Sequence, residues 1–160
     1  MQKLTKYDFM KDCESVAKEI LGNEIVRRVG DREIRAYIKM IAPHSKLKSK
    51  IEHGKNAGTI HIGRPKFGNR LIDIITIQEG FYSCVTLRGI VLQNNGEIIE
   101  GPGRCAKMLE VNSSLNGLNI DNDFLYITRN KDSNYDTSKI KYPIIWKNIP
   151  NNCKGYFTYI

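Results

Sequence analysis

Residues 70–92 read RLIDIITIQEGFYSCVTLRGIVL, and this stretch decides the fold. Segments 70–77 and 82–92 are dense in Ile, Val and Thr, which suit a pleated, half-buried surface. Gln78-Glu79-Gly80 between them is a turn signal. Two strands joined this closely predict an antiparallel hairpin at the centre of a sheet. Working outward towards the N-terminus, 59–62 reads as a brief strand. Before it, 24–29 and 33–41 read as a second hairpin turned at Gly30-Asp31, with Pro43 ending its second strand. Segment 44–57 is a polar, basic loop. Val16, Ala17, Ile20 and Leu21 share one face of a short helix over 12–21, stopped by Gly22. Working towards the C-terminus, Asn94-Asn95-Gly96 and Asn116-Gly117 are turns. Gly101-Pro102-Gly103 opens a helix over 104–110. Segments 124–128, 144–146 and 156–160 read as late strands, with 129–139 a polar loop. No repeat and no boundary interrupts the chain. The expectation is one α+β domain over 1–160 with a curved, mainly antiparallel sheet and short flanking helices.

The chain has 160 residues and a formal net charge of +8, distributed unevenly. Segment 27–70 holds twelve Lys and Arg against three acids, a local +9, while the remainder sums to about −1. Such a segment attracts a polyanion, with an affinity that salt weakens. A solvated basic loop would read the same way. Cys13, Cys84, Cys105 and Cys153 contain no CxxC pair, so they predict buried, reduced thiols in an intracellular compartment, cytoplasm, nucleoid or nucleus, rather than a zinc site. No metal or cofactor is expected. No apolar run is long enough to span a bilayer, and MQKLTKYDFMKD lacks an apolar signal core.

Four segments, in order, resemble the methylpurine (3-methyladenine) DNA glycosylase family. They are VAKEILGNEIVRR at 16–28, GTIHIGRPKFGNRLIDIIT at 58–76, SCVTLRGI at 83–90 and GPGRCAKMLEVNSSLNGLNI at 101–120. The last is the most specific: Gly-Pro-Gly and a basic residue, a turn of amphipathic helix, then Asn-Gly before an apolar residue. The resemblance implies a fold that binds double-stranded DNA, extrudes a nucleotide and probes it, without a metal. It implies that Phe67 stands for the family's wedge residue on a loop that also carries Arg64 and Lys66. A core Phe is the alternative. His61 and Gly63 replace two stacking tyrosines. Asp73 replaces an Asn that screens bases, and Arg88 matches an active-site Arg. Read from the strands alone, Asp73 is a candidate to pair with Arg70 or with Arg88 on the neighbouring strand. Gly101, Gly103 and Arg104 are placed to meet a phosphate, although a Pro-started helix has the same signature.

The resemblance also implies a loss. The family's water-activating Glu falls on Met40 or Ile41, and neither can polarise water. His44 or His53 is left to stack on a base. Three readings stay open. The chain binds DNA with weak or lost excision; it excises purines with Asp73 as a re-sited carboxylate; or it is a protein-interaction module that binds no DNA.

Overall fold

The computed structural model describes residues 2–44, 56–63, 70–78, 81–144 and 156–159. Helix α1 spans Cys13–Ile20 and is capped at its start by Asp12, whose carboxylate accepts from the Ser15 N–H at 3.0 Å. It buries Cys13, Val16, Ala17 and Ile20. At its far end Lys131 Nζ donates to the carbonyls of Glu19 and Leu21, satisfying groups the helix leaves open. Gly22 then turns the chain with φ +83, and a Cβ there would lie 2.6 Å from Tyr135 Cγ, so only glycine fits.

The strands are β1 (Asn23–Val29), β2 (Arg32–His44), β3 (Ile60–Gly63), β4 (Leu71–Gln78), β5 (Phe81–Leu92), β6 (Ile98–Glu100), β7 (Leu125–Lys131), β8 (Lys141–Ile144) and β9 (Tyr156–Thr158). All described pairings are antiparallel. The central order is β3-β4-β5-β2-β1-β7, with β6 on β5 and β9 bridging β2 and β8. The sheet curls around the helices, giving the expected α+β fold. The β3 and β7 ends of the central order are covered. Leu4 N donates to Ile127 O on β7 at 2.8 Å, and Ile60 N on β3 to Leu118 O at 2.7 Å, which removes open edges that would template aggregation.

Directly paired residues in a ladder share a face. Ile60, Ile74, Val85 and Pro43 stand in one such row, and Ile41 with Leu87 in the next. These rows form the core with α1 and with α2 (Pro102–Met108), together with Phe9, Leu109 and Leu115.

Several boundaries differ from the sequence reading. Pro43 does not end β2, which continues to His44 in register with β5. β9 pairs β2 only at Met40 and Ile41, so beyond Ile41 no described strand occupies the other side of β2, where a missing N–H is tolerated. β6 was not expected; its three residues are too few for a periodic signal. Helix α2 starts at Pro102 rather than 104, because proline's fixed φ and absent N–H suit the first helical position. β7 runs on to Lys131, into the segment read as loop. The strand expected at 144–146 is instead β8, with 145–146 outside the described residues. Among the described cysteines, Cys13, Cys84 and Cys105 are free and buried, and burial pushes the Cys105 thiol up to about 12. Cys153 lies outside the described residues.

Candidate functional site

The second face of the sheet carries a polar row. His61 on β3 pairs with Asp73 on β4, Asp73 with Thr86 on β5, and Thr86 with Ala42 on β2. One row therefore runs across four strands. Thr86 Oγ1 donates to Asp73 Oδ1 at 2.6 Å, and His61 Nδ1 lies 3.3 Å from Asp73 Oδ2. A carboxylate only accepts, so the imidazole proton belongs on Nδ1. The alternating strand pattern explains the placement: Ile72 and Ile74 point into the core and leave Asp73 on the opposite face. The register sets Thr86 directly opposite Asp73, and Thr86 and His61 both hydrogen-bond it.

Arg88 lies two residues beyond Thr86 on the same face. Its charge is felt at His44 and at Cys105. His44 is the next-but-one residue after Ala42 and is paired with Cys84. Burial is the main cause holding its imidazole below the ordinary histidine range; Asp73 works against that shift and Arg88 with it. The expected loop histidine is thus a strand residue between opposite charges. Thr86 was missed in the sequence, since a Thr inside VTLRGIVL reads as ordinary strand filler. Only its two-residue offset from Arg88 marks it.

Gly63 follows on β3. A Cβ there would lie 3.5 Å from Asp73 Oδ2 and 3.6 Å from His61 Cε1, ordinary contact distances. Gly101 donates its N–H to Arg88 O at 2.7 Å, which ties the start of α2 to β5. Gly101 has φ +110 and no side-chain cap, Gly103 is half-buried, and Arg104 is exposed. Arg64, Lys66, Phe67 and His53 lie outside the described residues.

The two positions implied for the family's Glu separate cleanly. Ile41 is 1% exposed in the core. Met40 is half-buried, and its Cγ would lie 2.7 Å from a Cβ at Gly89. The side chain therefore lies across Gly89, its register partner.

The basic segment is partly consumed by structure. Arg27 is 5% exposed and donates to the carbonyls of Leu109, Arg28, Phe124 and Glu110. Arg28 pairs with Glu33, Arg32 with Glu110, and Arg35 with Glu24 and Glu33. Lys39 sits 5.4 Å from the Tyr159 ring centroid, and Arg70 donates to Val111 O. The remaining cations of that segment lie outside the described residues. Among the described residues no group of three or more His, Cys, Asp or Glu could hold a metal, and no helix is long and apolar enough to cross a membrane.

No family model matches the chain. Curated proteins do. A 68-residue stretch is 35% identical to a protein of Ehrlichia chaffeensis named "Putative 3-methyladenine DNA glycosylase", covering 41% of this chain and 38% of that one. A protein of Legionella pneumophila (strain Paris) with the same name is 27% identical over 150 residues, covering 84% of this chain and 81% of its own. The chain is thus similar to proteins carrying this name, at 27–35% identity. Against the Ehrlichia protein it aligns over well under two thirds of the relative's length; against the Legionella protein the match runs through most of both chains. The strand where the resemblance puts the water-activating Glu is intact as a strand, yet turns Ile41 into the core and folds Met40 over a glycine.

Proposed function

We propose that this chain binds duplex DNA and probes its bases as a divergent 3-methyladenine DNA glycosylase relative, with base excision weak or lost. Insertion of segment 64–69, carrying Arg64, Lys66 and Phe67, belongs to the proposal, as does Arg104 as a phosphate contact. The observation that carries the reading is the pair at Met40 and Ile41. A positioned acid or base contributes about 10²–10⁴ in rate, and β2 offers an apolar side chain at both positions where that group is implied. The relatives' names supply the DNA-repair context.

A second reading keeps chemistry, with Asp73 as a re-sited carboxylate. One observation favours it: Asp73 retains 16% side-chain exposure and is oriented by Thr86 and His61. Anisotropy with a labelled duplex tests binding. Affinity is expected to fall with salt at a slope of about −0.9 per phosphate contacted. No binding at ~50 mM salt, the permissive end of that range, removes the DNA reading and leaves the protein-interaction module. Gel assays on a duplex bearing a methylated purine or hypoxanthine test excision. Turnover that Asp73→Asn abolishes in a folded protein establishes the second reading and overturns the first.

A further inference from the structure

We infer that the groove between α2 and the tip of the β1–β2 hairpin docks an acidic segment of a partner protein that carries apolar anchor side chains. The groove shares no residue with the His61–Asp73 row, and it stands whether or not the chain binds DNA.

The groove has two lobes, of about 710 and 470 Å³. Ile34 and Leu92 floor the larger, Ile99 the smaller, and Met108 and Glu110 border both. Leu92 and Ile99 belong to the core, while Ile34 and Met108 are half-buried against it. Core side chains therefore show at the bottom of a surface groove. Helix α2 accounts for this. Cys105 and Ala106 are its buried residues, so Met108 is left at the margin, where a flexible thioether repacks readily around an incoming side chain. Volumes of this order hold aliphatic or aromatic groups.

The rim decides the partner. Arg32 and Arg35 on β2 and Arg104 and Lys107 on α2 line the groove together with two acids, Glu33 and Glu110. Both acids are already held: Glu33 by Arg28 and Arg35, and Glu110 by Arg32 through two hydrogen bonds of 3.1 Å. Arg104 and Lys107 are exposed, and the described ion pairs of the groove use neither. A positive rim over an apolar floor complements carboxylates that flank apolar side chains. The phosphates and sugars of a DNA strand would neutralise the rim and leave the apolar floor unfilled. Glu110 tunes the strength. It is a non-glycine residue with positive φ, +48, a conformation that glycine takes without the steric cost of a side chain. Because Glu110 borders both lobes, its carboxylate repels an acidic ligand, and glycine in its place suits the backbone and leaves Arg32 to the ligand.

The test reads isotope-labelled methionine methyl groups of the full chain by NMR while a short synthetic peptide, with leucines set among glutamates, is added. The chain has four methionines. Met108 reports the groove, Met40 the face proposed for DNA, and Met10, 53% exposed near the N-terminus, serves as a control. The peptide is expected to move Met108 and to leave Met10 and Met40 in place. Control peptides with serine for leucine, or lysine for glutamate, are expected to move none of them. Lys107→Glu should weaken binding of the first peptide about fivefold, an exposed ion pair's worth, and Glu110→Gly should strengthen it by about the same factor. The second variant decides the matter if the first does not fold. A Met108 shift produced by duplex DNA and not by the peptide makes the groove a nucleic-acid surface. A shift that grows with chain concentration alone makes it a contact between copies. Affinity unmoved by either folded variant, or no Met108 shift with the peptide, removes the docking site. Each of these results overturns the inference, and none of them depends on whether base excision occurs.

Discussion

Placing a carboxylate at Ile41 should unfold the protein, whereas placing one at Met40 should not. Ile41 is 1% exposed, paired with Leu87 and touching β9 through Phe157. Removing a buried isoleucine side chain costs about 2–5 kcal/mol, of which the methylenes of Glu recover part. Leaving a charge buried without a partner costs about 3–5 kcal/mol more. The sum reaches the whole stability of an ordinary domain, roughly 5–15 kcal/mol. Met40 is half-buried and lies over Gly89. Glu is close to Met in length and can bend its carboxylate outward, so Met40→Glu should cost about 1–2 kcal/mol, the lost apolar contact of a partly exposed side chain. Urea unfolding followed by circular dichroism reads both numbers. Met40→Glu should retain a cooperative transition at a modestly lower midpoint, and Ile41→Glu should show little or none. Equal midpoints for the two, or a reversed order, would refute the assignment of faces on β2. Restored excision is to be sought in Met40→Glu alone.

Arg27→Lys should cost about 2–4 kcal/mol, because one ammonium cannot serve the carbonyls of Leu109, Glu110, Arg28 and Phe124 together. The salt slope of duplex binding should not change, since Arg27 is buried; a lowered slope at equal folding would place it on the DNA. For His44, burial holds the folded ring below its ordinary value of 6.5. As pH falls below that value the unfolded chain takes up a proton that the folded chain does not. Stability is then lost on acidification, at no more than about 1.4 kcal/mol per pH unit. His44→Gln should flatten the urea midpoint between pH 7 and 5 relative to wild type, and an unchanged profile would assign the loss to other groups.

The central hairpin was legible because β4 and β5 are long and dense in β-branched residues, so local preference and tertiary burial agree. The second face was half legible. Asp73 is conspicuous between Ile72 and Ile74, and Arg88 within an apolar run, but the register that puts Thr86 opposite Asp73 is set by a turn whose length the pattern does not fix. Pro43 misled for the opposite reason. A local rule says stop, and the strand continues because, among the described residues, only the β5 flank of β2 is paired beyond Ile41. The basic segment misled through distance: Glu110 sits 78 residues from Arg32, and a running charge count cannot register such a pairing. What remains of the segment's cationic character resides chiefly outside β1 and β2.

The geometry also weighs the two readings of Asp73 against each other. Asp73, Thr86 and Ala42 stand in one row on three adjacent strands. With strands about 4.8 Å apart, the backbone of Asp73 lies about 10 Å from β2. Met40 is two residues further along. Two side chains recover only part of that distance. A carboxylate meant to activate water at the sugar must stand at the sugar end of a displaced nucleotide, and the family resemblance puts that end beside residues 40 and 41. Asp73 is then too far along to replace the missing Glu without moving the nucleotide. Within the proposed function, that separation weighs against Asp73 as a re-sited carboxylate and favours the reading in which β2 has lost its general base.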